Sequence, residues 1–398
     1  MVATLPFQLQ KTLAEVAGAR PKAQCCSGEP RSQIYAPAVP QAGIGVVCPQ
    51  LSVIVAVYNC APELQQCMEA LRGSGEGGEL IVVDDQSKVN IRDIVERYGA
   101  RYFCMPRHGG PAAARNLGAQ HATGDILVFV DADVIVAPDA LRVIREEFEN
   151  NPELTALFGS YDDDPACTDF CSSFKNLLHH HVHQVSSPDA VTFWTGCGAI
   201  RKRAFQTAGG FDATRYRNAS IEDIELGIRL IQQQQKIRLV KRLRVKHLKK
   251  WTLGSMVRTD IFRRAIPWTQ LILRTRSMPR DLNLTLASRV SAVLVAAAAV
   301  LTAGAVSNLI RPSGWSPRVL ASGLFASIML LLCLNRELYR FFWRKRGTIF
   351  VARAVLVHWF YLFYSGSVFT FCCAAEILQA PFRSAAADPK SHVGTSSS

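Results

Sequence analysis

Residues Val290 to Ile310 read VSAVLVAAAAVLTAGAVSNLI, without one charged side chain. No other stretch restricts the fold so strongly. A helix needs about 20 apolar residues to cross a bilayer, and only a helix or a closed barrel satisfies its backbone there. A second run, Val319 to Leu334, is shorter; a third, Ala354 to Ala375, is long and rich in aromatics. The expected membrane region is 283–380, with about three helices at 290–310, 319–334 and 354–375. Basic residues flank these runs. Arg263, Arg264, Arg274, Arg276 and Arg280 precede the first; Arg336, Arg340, Arg344, Lys345 and Arg346 lie between the second and third. Such stretches favour the cytoplasmic side. The short RPSGWSP link makes the first two runs a hairpin, which puts both basic stretches on one face. The tail, 381–398, is expected to be flexible and to lie on the other. Residues 256–282 mix Arg with Ile, Phe, Trp and Leu, as an amphipathic segment at a membrane surface does. The alternative for the apolar runs is core helices of a soluble protein.

The first half has a different texture. Residues 1–49 scatter Pro, Ser, Gln and Gly and read as a flexible extension, with one short helix at Phe7 to Val16. MVATLPFQLQKTLAEVAGARPK lacks an uninterrupted apolar core, so the half that follows is expected not to be exported. From Leu51 onwards short β-branched runs alternate with helical spacings. LSVIVAVYN, GELIVVDDQS, RYFCMP and DILVFVDAD read as strands. APELQQCMEALRG, with Leu64, Cys67, Met68 and Leu71 on one face, NIRDIVERYGA and GGPAAARNLGAQHATG read as helices. Strands apolar on both faces belong in a parallel sheet covered by helices. The expected class is α/β: a Rossmann-like, mostly parallel sheet with helices on both faces, at 50–255, followed by transmembrane helices. The net charge of +13 suits phosphates or an anionic membrane surface. It does not point to nucleic acid, because aromatic and basic residues do not interleave. The 12 cysteines show no CxxC pair and no zinc spacing, so they are expected to be mostly free thiols in a reducing compartment.

Carboxylates collect where these strands end. Asp84 and Asp85 close one strand; Asp131 and Asp133 close another. In open α/β sheets that edge is where ligands bind. Two Asp at i and i+2 face one side of an extended chain and can share a divalent cation with diphosphate oxygens. Alone, each pair reads equally well as a turn. Arg115, near a Gly-rich helix start, can neutralise phosphate. Ser220 with Asp223 fits a helix-capping pattern, so Glu222 and Asp223 either start a helix or, for Asp223, accept a proton from an attacking hydroxyl.

VIVAVYN, IVVDDQS, GGPAAARNLGAQHATGDILVFVDADV, TGCGAIRKRAF, GGFD and IEDIELGIRL occur in this order. Together they resemble the family 2 glycosyltransferases of the GT-A fold, from about Leu51 to Trp251. The resemblance implies a nucleotide-sugar donor, by default a UDP-sugar, and a Mn²⁺ or Mg²⁺ ion. It implies contacts of Tyr58 and Asp85 with the nucleobase, Asp84 and Asp131 with base or ribose, and Arg115 with the diphosphate side. Asp133 would hold the metal, with Asp131 beside it. Asp223 would be the general base, with Glu222 near the acceptor. HLKKW stands where processive relatives carry Gln-x-x-Arg-Trp, which points to one or a few transfers rather than a polymer. Trp251 could still be an acceptor platform, and His247 a further metal ligand or a half-buried strand residue.

The expectation is an inverting, metal-dependent glycosyltransferase. It is anchored by several membrane passes, with its catalytic domain in the cytoplasm and a lipid or lipid-linked acceptor. The rivals are a processive polysaccharide synthase and a catalytically silent membrane scaffold. Two stretches stand outside this frame. NLLHHHVHQ puts His179 and His183 on one helix face, as a metal pair without an evident acidic third ligand, or rather as an acceptor contact or a plain polar face. KIRLVKRLRVKHLKK reads as a basic strand, with one face either solvated or against anionic head groups.

Overall fold

The computed structural model describes residues 49–75, 77–278, 282–310 and 316–386. The expected helix at Phe7 to Val16, Arg280, most of the RPSGWSP link and the tail beyond Ala386 lie outside the described residues.

The elements of the first half follow the expected alternation. They are β1 (Leu51–Val57), α1 (Ala61–Gly73), β2 (Glu79–Asp84), α2 (Arg92–Arg97), β3 (Arg101–Cys104), α3 (Pro111–His121) and β4 (Ile126–Asp131). Then come β5 (Val134–Val136), α4 (Ala140–Asn150), β6 (Leu154–Tyr161), α5 (Phe170–Val185), β7 (Asp189–Ala190) and β8 (Cys197–Arg201). α6 (Lys202–Thr207), α7 (Glu222–Gln232) and β9 (Lys236–His247) complete this half. All nine strands form one sheet in the order β3-β2-β1-β4-β8-β6-β9-β5, with β7 against β9.

β3, β2, β1 and β4 run parallel, as expected. β8 runs antiparallel to both β4 and β6, so the whole sheet is mixed. The reason is where β8 begins. The chain enters it from the carboxyl edge of β4, where Asp131 N donates to Gly196 O at 3.4 Å.

Alternation along β1 separates two cores. Val53, Val55 and Val57 pack with Leu64, Met68 and Leu71 of α1, whereas Ile54 packs with Ala112 and Ala114 of α3 and Leu226 of α7. Helices therefore cover both faces. α3 lies close on β1, since a Cβ on Gly118 would stand 2.5 Å from the Ile54 side chain.

α8 (Leu253–Thr259), a π-helical turn (Asp260–Ala265) and α9 (Ile266–Thr275) lead to α10 (Leu286–Ile310), α11 (Pro317–Leu334) and α12 (Arg336–Ala386). α12 breaks at Gly347, whose φ is 77°. These last three helices contain the expected runs, and each is long and apolar enough to cross a membrane. α12 extends six residues into the expected tail, to Ala386. Among the described residues the cysteines are free thiols.

Candidate active site

The carboxyl edge of the sheet gathers the expected residues. Asp84 and Asp85 are buried at the end of β2. Asp84 accepts from Ser87 N at 2.9 Å and from the Tyr102 hydroxyl at 3.0 Å. Asp85 accepts from Gly109 N at 2.7 Å and Gly110 N at 2.8 Å. Gly110 has φ 84°, and a Cβ there would stand 2.1 Å from Arg217 O, so only glycine delivers that N–H. His108 Nδ1 lies 2.9 Å from the Asp85 carboxylate, and its ring sits 4.4 Å from that of the exposed Tyr58. Two exposed rings beside a fixed carboxylate suit a flat, hydrogen-bonding ligand.

Beyond β1 the buried guanidinium of Arg115 joins two elements. It donates to Asp131 Oδ1 at 2.7 Å and to Glu222 Oε1 at 2.9 Å. Burial alone would disfavour the cation, but Asp131 and Glu222 outweigh it and raise the Arg115 pKa. Arg115 is thus a strut between β4 and α7. Asp223 follows Glu222 in the first turn of α7. It accepts from Thr195 N at 3.1 Å, Thr195 Oγ1 at 3.3 Å and Ile224 N at 2.8 Å. Burial, then the charge of Glu222, lifts its pKa to about 6. The expected Ser220 cap is not made. Ile221 takes the cap position, and the Ser220 hydroxyl donates to Arg263 O at 2.9 Å instead. Arg263 lies in the neighbouring π-helical turn, and Pro267, four residues on, has no N–H to donate to its carbonyl.

Asp133 and Asp131 take different partners. Asp133 Oδ2 stands 3.5 Å from His247 Nε2 at the end of β9. Burial works against its charge, but the His247 hydrogen bond and the His247 and Lys249 charges hold its pKa below the usual value. Among the described residues no three His, Cys, Asp or Glu side chains form a metal cage. The pair nevertheless fits a divalent cation. A carboxylate and an imidazole supply two donors, and hard cations commonly complete their shell with water and substrate phosphates.

Tyr161, at the end of β6, stacks on His247 with ring centroids 4.5 Å apart. Around it stand His179 at 4.3 Å and Trp194 at 5.0 Å. No motif pointed to Tyr161 or Trp194. The available signal was position, since LTALFGSY ends at the same edge as the other strands. The histidines of α5 are not a plain polar face. His180 Nδ1 bonds Tyr161 O at 2.7 Å and His183 Nδ1 bonds Gly159 O at 3.1 Å, because α5 lies flat on β6. Burial keeps His179 and His183 largely neutral, the latter with a pKa of about 4. His179 Nδ1 is enclosed without a hydrogen-bond partner.

Trp251 lies elsewhere. It is 5% exposed, packed with Phe174, Met256 and Phe342 where the first half meets α12, and its backbone N–H donates to Ser172 Oγ at 2.8 Å. It has no open face to offer an acceptor. β9 is the expected basic strand, and Arg238 and Arg242 pair with glutamates of α4. A cavity of 1180 Å³ opens beside Ser220. Its lining includes Arg217, Arg263 and Arg274 together with the apolar Leu271, Val368 and Phe371.

Residues 52–209 match the model of Glycosyl transferase family 2. An uncharacterized glycosyltransferase of Haemophilus influenzae is 36% identical over 100 residues, 24% of this chain and 40% of that protein. A second from the same organism is 28% identical over 193 residues, 46% of this chain and 62% of that one. The chain thus spans less than two thirds of either relative. The poly(ribitol-phosphate) beta-glucosyltransferase of Bacillus spizizenii is 30% identical over 27% of this chain and 18% of its own length. Among solved structures, the mannosyltransferase PcManGT of Pyrobaculum calidifontis, in complex with GDP-Man and Mn²⁺, is similar at a TM-score of 0.48. It has 21% identity over 71% of this chain and 87% of that one.

Proposed function

Residues 52–209 form a family 2 glycosyltransferase domain, and from that premise we propose that the chain moves a sugar from a nucleoside diphosphate to a lipid or lipid-linked acceptor, with inversion. The observation that carries this reading is the buried bridge from Asp131 through Arg115 to Glu222, which sets Asp223 beside the strand-end carboxylates.

The nucleobase lies against Tyr58 and His108, with Asp85 and Asp84 accepting from base or ribose. Asp131 contacts the donor, and Arg115 acts on the diphosphate side by fixing it. A Mn²⁺ or Mg²⁺ ion held by Asp133 and His247, with Asp131 alongside, would stabilise negative charge on the departing diphosphate. Asp223 takes the proton from an acceptor hydroxyl as that oxygen bonds to the anomeric carbon. The bond to the diphosphate oxygen breaks on the opposite face, so one displacement inverts the centre. A phosphate acceptor is already anionic, and Asp223 then orients it. Glu222 lies on the acceptor side. The half-buried rings of His179 and Trp194, 5.1 Å apart, offer apolar acceptor contacts.

Two features support a lipid acceptor. The cavity beside Ser220 is lined by both basic and apolar side chains. The chain also carries helices able to cross a membrane. The basic residues from Arg336 to Arg346 support a cytoplasmic catalytic domain, and Lys345 pairs with Asp163 of that domain.

The test is nucleoside diphosphate release by the full chain in detergent, with a panel of nucleotide sugars, a lipid extract, and Mn²⁺ or chelator. The expected result is release that needs both lipid and Mn²⁺. Release that ignores the lipid removes the acceptor assignment. Absence of both release and Mn²⁺-dependent nucleotide binding, in folded protein, removes the enzyme.

A further inference from the structure

α12 is long and apolar enough to cross a bilayer, yet beyond Gly347 its inward face meets α5 and then the segment from Asp260 to Thr275. The Phe350 ring lies 5.2 Å from Phe170 of α5, and the Arg353 guanidinium stands 4.2 Å over the same ring. Ala354 packs with Phe174 and Trp251. Lys175 of α5 lies 5.8 Å from the Tyr361 ring, and the Tyr364 hydroxyl donates to Asp260 at 2.8 Å. Val368 and Glu376 face α9 across the basic cavity. Phe350 to Glu376 is roughly 39 Å of helix at 1.5 Å per residue. That exceeds the hydrocarbon core of about 30 Å.

A helix upright in the membrane would carry these partners to every depth. Lys175, Asp260 and Arg274, with the turns that bear them, would stand in hydrocarbon, where charges and unsatisfied backbone are excluded. The opposite face of α12 has no such partners. Ile349, Leu356, Phe360, Phe363 and Ile377 project from it and are 40–80% exposed. The hairpin of α10 and α11 also meets α12, where Leu362 packs with Val295 and Leu331 and a Cβ on Gly366 would lie 3.4 Å from Ala292.

We propose that α12 beyond Gly347 lies in the plane of the membrane surface, with α5 and the segment from Asp260 to Thr275 on one face and lipid on the other. The chain then crosses the bilayer twice, through α10 and α11, and the end of α12 stays on the catalytic side. An exposed apolar stripe of this length, flanked by the basic residues from Arg336 to Arg353, is chemically matched to an anionic lipid surface. Length and composition alone give three candidate crossings, because they do not register which faces other elements cover.

The test uses the full chain with three epitopes, one ahead of Leu51, one between α10 and α11, and one at the C-terminus. Their accessibility is read in sealed inside-out and right-side-out vesicles. The expected result is that the first and last epitopes are reached from one side and the middle one from the other. A last epitope opposite the first overturns the proposal, as does finding all three on one side. A second measurement reads depth, with single cysteines at positions 349, 356, 363 and 377 carrying a fluorophore quenched by lipid-attached spin labels. The in-plane helix gives one shallow depth at all four positions; a minimum at the middle of the bilayer, between shallow ends, overturns it.

Discussion

Burial lifts the Asp223 carboxyl to about 6, while Thr195 and Ile224 donate to its ionised form. Activity that needs the carboxylate therefore falls as pH drops below about 6 and levels off above it. Initial rates of diphosphate release against pH check this. With a hydroxyl acceptor, Asp223→Asn costs about 10²–10⁴-fold in kcat and loses that acidic limb. A small loss with the limb retained identifies a phosphate acceptor or another base. Stability runs the other way. The folded carboxyl holds its proton more tightly than the unfolded one, so its contribution is full below 3.8 and is lost as pH rises through about 6. Arg115 makes a separate prediction. Arg115→Ala leaves Glu222 buried without its cation, and removing one partner of a buried pair costs about 3–5 kcal/mol. Thermal unfolding of the variant in detergent checks it; an unchanged midpoint contradicts the strut.

At the scale of elements, the close approach of α7 to the segment before β8 decides where Asp223 sits. A Cβ on Gly227 would stand 2.3 Å from Phe193 N, and Thr195, two residues on, is the partner of Asp223. Gly227→Ala must therefore push α7 off that segment. Turnover should fall while nucleotide binding survives, because Tyr58, Asp84 and Asp85 sit on other elements. Separate titration of nucleotide affinity and kcat reads this; equal loss of both contradicts it. Elements were legible where one local period governed them. In α1 the four residues placed on one face by spacing, Leu64, Cys67, Met68 and Leu71, are those buried. They were illegible where a neighbour took over. The α5 histidines read as polar, but β6 beneath them covers and hydrogen-bonds two of them. Ser220 read as a cap, but its hydroxyl goes to the π-helical turn.

At the scale of the molecule, Lys175 of α5, Asp260 of the π-helical turn and Tyr364 of α12 form one buried junction. Lys175 Nζ reaches both Asp260 oxygens, at 2.6 and 2.7 Å. Burial, partly offset by Asp260, lowers the Lys175 pKa to about 8. Asp260→Asn strands a buried ammonium and should lower stability by about 3–5 kcal/mol. The double change Lys175→Met with Asp260→Leu should recover most of that. Unfolding midpoints of the two variants compare them, and a double variant as weak as the single one contradicts the account.

Sequence by itself determined what rests on short-range order. Periods of two and of 3.6 placed the strands and helices. The carboxylates at the ends of β2 and β4 marked the edge proposed for the donor, and uncharged runs marked helices long and apolar enough to cross a membrane. These depend on residues a few positions apart, whose pattern a one-dimensional reading contains. Only the tertiary structure decided the partners. It tied Arg115 to Glu222 across 107 residues, set Asp133 against His247, and enclosed Trp251 rather than leaving it as a platform. It also covered one face of α12, which composition alone leaves open to lipid. Contacts of that range follow from which surfaces pack together, and packing depends on the shape of the whole chain rather than on any window within it.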